Sequence, residues 1–309
     1  MDEHTPVLLH EIIAGLNIRP TGTFVDLTFG RGGHAKEILK SLTSGHLFAF
    51  DRDITAIAAG QVLVANYPAS LTLIHDNFTQ AAIRLMELGI HQVDGIVMDL
   101  GVSSPQFDDY TRGFSYREDA PLDMRMDQRQ RLTAEIIVNT ADIATLSHIF
   151  REYGDEPQAF QIAKAIVKAR TLGPITTTGQ LVTIIKSVKP QKELKKKGHP
   201  AKQAFQALRI ATNDEMVNLE QGLKVATSLL APLGRLAVIT FHSGEDRLVK
   251  NYFKSLTTTS GSRYGIEAMI KPEEPKFTLY NRQVILPTAQ EIIDNHRASS
   301  AKLRIIQRK

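Results

Sequence analysis

The chain has 309 residues, 42% hydrophobic and 23% charged, enough for one large or two modest domains with a real core. No apolar run approaches the roughly 18 residues of a membrane span, and the polar start Met1-Asp2-Glu3-His4 does not read as a signal peptide, so a cytoplasmic location with no membrane partner is expected. The chain lacks cysteine, which excludes a disulfide framework, a cysteine zinc site and an iron–sulfur cluster, and no metal is expected; the net charge of +4 favours a polyanionic partner without requiring one.

Residues 6–16 show helical apolar spacing, with Pro6 at a plausible first-turn position. From 23 to 99 strands near 23–27, 46–50, 70–74 and 94–98 alternate with helices near 34–42, 53–65 and 79–88. This is the rhythm of a parallel sheet. Three strand ends stand out: Phe24-Val25-Asp26-Leu27-Thr28-Phe29-Gly30-Arg31-Gly32-Gly33-His34, Leu47-Phe48-Ala49-Phe50-Asp51-Arg52-Asp53 and Gly95-Ile96-Val97-Met98-Asp99-Leu100-Gly101. Open α/β sheets bind ligands at the carboxyl ends of their strands. An acidic residue about twenty positions past the first glycine turn typically holds a ribose diol, and Asp51 stands there relative to Gly30. An adenosine-bearing cofactor is implied.

The loop departs from the dinucleotide spacing G-x-G-x-x-G, reading Gly30-x-Gly32-Gly33-His34 with Asp26 just ahead of it. An acid there suits a ligand with a cationic amino-acid tail and no phosphate, and S-adenosylmethionine fits. A lone glycine cluster is more often just a tight strand-to-helix connection. The ordered series of strand, loop, helix and two further acid-ended strands argues for the cofactor. Without cysteine, neither cluster-based radical chemistry nor a cysteine adduct on a cytosine ring carbon is open to a methyltransferase. A nitrogen or oxygen acceptor is the expectation.

From about 108 to 215 the strand rhythm stops. A polar loop, Asp108 to Arg131, leads to helical patterns near 133–139, 142–152, 157–170, 178–187 and 203–217, punctuated by Gly173-Pro174 and Pro190. The expected organisation is a discontinuous sheet domain, 1–107 and 216–309, split by an all-helical substrate-recognition domain, 108–215. Lys186, Lys189, Lys192, Lys195, Lys196, Lys197 and Lys202 crowd one segment of the insert, with His199 and Arg209 close by. Such runs are most often a solvated face, and phosphate contact is the alternative. The sheet resumes in Leu229–Phe241, with His242 at the strand's carboxyl end and a helix near 244–255. A tail with Gly261, Pro272 and Pro275 precedes a strand at Arg282–Leu286, a short helix near 288–294 and a last strand near 302–307.

Over nearly its full length the chain resembles the bacterial ribosomal small-subunit RNA methyltransferase H, or MraW, family. The resemblance rests on His4-Thr5-Pro6-Val7-Leu8-Leu9, Thr28–His34, Asp51-Arg52-Asp53, Asp99–Gln106, Arg112-Gly113-Phe114-Ser115, Pro121–Asp127, Phe205-Gln206-Ala207-Leu208-Arg209 and Phe241-His242-Ser243. It implies a Rossmann-like class I methyltransferase fold and methylation of a cytidine N4 amine in 16S rRNA. The cofactor would be S-adenosylmethionine, bound through Gly32, Gly33, His34, Asp51, Phe78, Asp99 and Gln106. Phe78 would pack on the adenine face, while Gln106 rests on the resemblance alone. Where family members carry His-Ser-Leu-Glu-Asp-Arg this chain has Gly244, which loosens the helix start by up to about 1 kcal/mol. Near the C-terminus Ser299 replaces an arginine of the family pattern, and with it a candidate RNA contact.

A cytosine N4 amine is a poor nucleophile that must be held and relieved of a proton. Asp99 is the first choice for its acceptor, or it serves the cofactor instead. The aromatic lid of DNA amino-methyltransferases is absent after the fourth strand, leaving Phe107 or Tyr110 to stack on the base. His242 reads as proton acceptor, phosphate contact or buried structural histidine. Asn213 reads as a base-edge contact or a polar helix residue. Two other functions stay open: methylation of a protein or small-molecule amine, and a cofactor-sensing RNA-binding protein without turnover.

Overall fold

A computed structural model describes residues 6–195, 197–258 and 274–309. The His4-Thr5 start of the first motif, Lys196, Gly261 and Pro272 lie outside the described residues. The chain forms two compact units, Met1–Gly101 with Asn218–Lys309, and Val102–Val217.

The first unit is built on a seven-stranded sheet of order β3-β2-β1-β4-β5-β7-β6. Its strands are β1 (Thr23–Asp26), β2 (His46–Asp51), β3 (Leu71–His75), β4 (Val93–Asp99), β5 (Leu230–Thr240), β6 (Phe277–Leu279) and β7 (Lys302–Arg308). β1 to β5 run parallel, and β7 is antiparallel to both β5 and β6. Parallel strands covered on both faces read as continuous apolar runs. Accordingly Phe24 and Val25 are both fully buried although they point to opposite faces. One face packs Val25, Phe50, Met98, Val238 and Phe253; the other packs Phe24, Leu47, Val97, Ala237 and Ile305. The chain passes from β3 at one edge back to β4 beside β1, so the order reverses between β1 and β4. Ligands of doubly wound sheets bind at such a switch point. The sheet is thus an open, Rossmann-like doubly wound sheet with an antiparallel edge.

Helices α1 (Leu9–Leu16), α2 (Gly33–Ser41), α3 (Ile54–Asn66) and α4 (Ala81–Glu87) belong to this unit. The first starts three residues later than its apolar spacing predicts. Leu8 adopts a left-handed conformation (φ 53°), and its N–H goes to Glu291 Oε1 at 2.7 Å instead of into a helix.

The second unit carries α5 (Ser104–Asp108), α6 (Ala134–Thr140), α7 (Ile143–Gly154), α8 (Ala159–Ala169), α9 (Thr178–Val188), α10 (Gln191–Leu194) and α11 (Lys202–Thr212). Leu122, Phe150, Ile162, Leu181 and Leu208 centre its own core. Its one strand-like feature among the described residues is an isolated bridge from Pro121 to Thr177. The helix expected over 203–217 is broken: Asp214 is left-handed (φ 48°), ending α11 and starting α12 (Glu215–Leu229). From there α12 runs straight into β5, followed by α13 (Ser243–Thr257) and α14 (Ala289–Asp294). The strand expected at Arg282–Leu286 does not form. β6 at Phe277–Leu279 pairs with β7 through Ile306–Arg308 instead, and only Ile285 returns, as a single bridge to Leu303.

Candidate active site

The glycine loop joins β1 to α2 and is tied to its neighbours by side-chain oxygens. Asp26, 2% exposed, accepts from Thr28 N at 3.0 Å. Asp51 at the end of β2 accepts from Gly30 N through Oδ2 and from Asp53 N through Oδ1, both at 2.8 Å. Its carboxylate plane is therefore fixed from both sides. Gly30 (φ 54°) and Gly32 (φ 73°) need the left-handed region, and a Cβ at Gly32 would strike the Phe29 ring. Gly33 opens α2 beneath Pro6.

Asp99 ends β4 beside this loop. Its N–H donates to Thr28 Oγ1 at 2.6 Å. The side chain keeps 27% of its surface open, yet Oδ1 is occluded with no hydrogen-bond partner. His34 Nδ1 stands 3.7 Å from Asp99 Oδ2. Its Nε2 is 3.0 Å from the Val7 carbonyl, which can only accept, so Nε2 carries the proton and Nδ1 presents a lone pair. Burial pushes the carboxyls of Asp26 and Asp99 each up to about 7; the nearby His34 opposes the shift at Asp26, while Glu245 adds to it at Asp99. Burial raises Asp51 as well, against the two backbone N–H groups it accepts from, and lowers His34. Three carboxyl groups thus stand near one another at one sheet edge. Such an edge favours a cation.

His242 caps α13 at the carboxyl end of β5, one strand over from Asp99. Its Nδ1 accepts from Glu245 N at 3.4 Å. The other ring nitrogen lies 3.2 Å from Glu245 Oε1, outside hydrogen-bonding alignment. Glu245 itself is 3% exposed, and its Oε2 receives Phe241 N at 2.8 Å and His242 N at 3.2 Å. Phe78 opens a short 3-10 turn after β3, capped by Asn77, and its ring edge packs on Gly222 of α12. Sequence reasoning passed over both Glu245 and Gly222. A glycine inside a helical pattern was the available signal for the second.

The first unit therefore gathers Gly32, Gly33, His34, Asp51, Asp99 and His242 along the carboxyl edge of the sheet. Gln106 and Asn213 belong to the helical unit. Gln106 is 6% exposed, and its Oε1 takes the Ser103 N–H at 3.0 Å, closing the turn into α5. Asn213 is 2% exposed; its amide receives Met126 N at 2.8 Å and donates to the Met124 and Arg209 carbonyls at 2.8 and 2.9 Å. A base-edge contact by Asn213 is excluded in this arrangement, because the groups it would offer clasp the Met124–Met126 loop. Phe107 and Tyr110 stay exposed, at 37% and 48%.

The lysine run also divides. Lys189 leaves it, buried and paired with Glu156 at 2.7 Å, and Arg209 is held by Glu215 through two bonds at 2.8 and 2.9 Å. Lys186, Lys192, Lys195, Lys197 and Lys202 remain exposed.

The chain is similar over its length to several known proteins. Two curated relatives are named ribosomal RNA small subunit methyltransferase H. The one from Lactiplantibacillus plantarum is 50% identical over 99% of this chain and 97% of its own. The one from Streptococcus mutans is 50% identical with the same coverage. A crystal structure of an rRNA methylase from Streptococcus thermophilus aligns over 100% of this chain and 98% of its own, at 12% identity and a TM-score of 0.42. The family described as the MraW methylase family matches residues 1–309, and the chain belongs to it.

Proposed function

We propose that the protein transfers a methyl group from S-adenosylmethionine to the N4 amine of a cytidine in 16S rRNA, acting in the cytoplasm on the small ribosomal subunit. Full-length membership of the methylase family carries this reading, together with relatives named for small-subunit rRNA. The donor set suits the cofactor. The buried carboxyl of Asp26 and the half-buried one of Asp99, which has an orphaned oxygen, call for a cationic ligand, and the left-handed glycines let one approach the backbone closely. When bound, S-adenosylmethionine supplies an electrophilic methyl group on a sulfonium.

Asp51 would accept from the ribose hydroxyls of the bound cofactor, and Phe78 would pack beside its adenine. Asp99 accepts a hydrogen bond from the amine and takes the proton that the nitrogen gives up as it gains the methyl group. Proximity accounts for much of the rate. Transfer of labelled methyl groups to small subunits tests the reading: label recovered in the RNA supports it, and label found only in protein overturns it.

Asp51→Ala is expected to weaken S-adenosylmethionine binding by roughly 1–3 kcal/mol, the range for a charge-assisted hydrogen bond. Unchanged affinity in calorimetry of the folded variant would remove Asp51 from the site. The exposed lysines supply phosphate contacts. Neutralising Lys195, Lys196 and Lys197 together should flatten the salt dependence of RNA binding by roughly two to three units of log–log slope. An unchanged slope returns the run to a solvated face.

A further inference from the structure

We propose that the solvent face of α13 is a phosphate-binding track that leads the RNA substrate to the methyl-transfer site. This rests on the substrate being RNA, and it names the surface of the first unit that meets the strand.

Ser243, Arg247, Lys250 and Lys254 follow one another along α13 at steps of four, three and four residues, and all are exposed. At 3.6 residues per turn they fall within about 60° of one another around the helix. Val249, Tyr252 and Leu256 pack into the core on the other side, so the stripe looks out to solvent. It covers about 16 Å of helix axis. Its first member directly follows His242, which caps the helix at the carboxyl end of β5, the strand beside Asp99. The track therefore begins at the ligand edge of the sheet.

The charge on this face has one sign. The acids of α13 are Glu245 and Asp246. Glu245 is buried and accepts from Phe241 N and His242 N. Asp246 is held from β7 by Lys302 Nζ at 3.2 Å and Arg304 Nε at 2.8 Å, so one acid already faces two cations. Among the described residues no acid forms an ion pair with Arg247, Lys250 or Lys254. Lys302, paired in register with Thr240 at the end of β5 and 40% exposed, carries the positive surface to the sheet edge.

A merely solvated helix face gains from opposite charges three and four positions apart and is weakened by like ones. Arg247, Lys250 and Lys254 stand at those spacings with like charge, which a polyanion would relieve. The stripe holds no apolar member, so it suits a phosphate backbone and not the apolar centre of a protein interface. Phosphate contacts fix the path of a strand without reading its bases. The track sets how the RNA enters the site.

The test uses the full-length protein with small ribosomal subunits, protein-free 16S rRNA and S-adenosylmethionine. It compares wild type with the triple variant Arg247→Gln, Lys250→Gln, Lys254→Gln. The three side chains are exposed and their mutual repulsion is removed, so a melting temperature no lower than that of wild type is expected. Loss of three phosphate contacts should flatten the log–log salt dependence of RNA binding by about two units and raise KM for subunits about tenfold or more. Cofactor affinity in calorimetry should stay that of wild type. Exchanging the cations (Arg247→Lys, Lys250→Arg, Lys254→Arg) should restore the slope. An unchanged slope and KM in the glutamine variant, beside a wild type that methylates RNA, overturns the track alone. A slope that changes with subunits but not with protein-free 16S rRNA assigns the face to a ribosomal protein and overturns the RNA assignment. A wild type that leaves no label in RNA overturns the underlying reading and this inference with it.

Discussion

Asp99→Ala is expected to lower methyl transfer by at least about 10²-fold, the scale of losing one positioned polar group at a reacting centre. The carboxylate ends β4 at the switch point of the sheet, anchored through its own N–H on Thr28, with one oxygen occluded and unpartnered. The same group sets a pH dependence. The acid is active only when ionised, and burial beside Glu245 holds its proton up to about 7 in the free protein. kcat/KM should therefore rise as pH climbs through about 7 and level off above it. Initial rates with small subunits between pH 5.5 and 9 (roughly spanning that transition) check both statements. A flat profile, or a fully active variant, removes Asp99 from the chemistry.

The largest effect on stability is expected in the helical unit. Lys189 and Glu156 form a pair at 2.7 Å with side chains 4% and 0% exposed. Removing one partner strands the other charge without water, so Lys189→Ala should cost about 3–5 kcal/mol. Replacing both by apolar residues, Lys189→Met with Glu156→Leu, should recover most of that loss, because neither charge then has to be buried. Denaturant unfolding followed by circular dichroism measures this directly. A single variant that loses less than about 1 kcal/mol, the range of exposed pairs, would contradict the burial of the pair.

These two residues also show where sequence reading works and where it stops. Asp99 was legible because a strand-ending acid after an apolar run has one place to be in a parallel sheet, the ligand edge. Asp26, Asp51 and the glycine loop follow the same logic, and β1 to β5 fall close to their apolar runs. Lys189 was not legible. It sits in a run of lysines, and composition alone assigns every member to solvent; only the fold brings Glu156, 33 positions earlier, against it.

Asn213 read as a base-edge contact or a polar helix residue, and the sequence could not separate the two; beside the left-handed Asp214 its amide lies on the Met124–Met126 backbone. The last strand forms where expected, while the strand expected before it, at Arg282–Leu286, forms at Phe277–Leu279. The partner of β7 is set instead by long-range register, Leu279 on Ile306 and Phe277 on Arg308.

The chemical identity of the product decides which reaction the site performs. After reaction of the protein with small subunits and S-adenosylmethionine, the 16S rRNA can be digested to nucleosides and analysed by mass spectrometry. N4-methylcytidine is the expected product, formed on a base extruded from its stack to reach the site. A methyl group on a ribose hydroxyl, on a ring carbon or only on protein would contradict it.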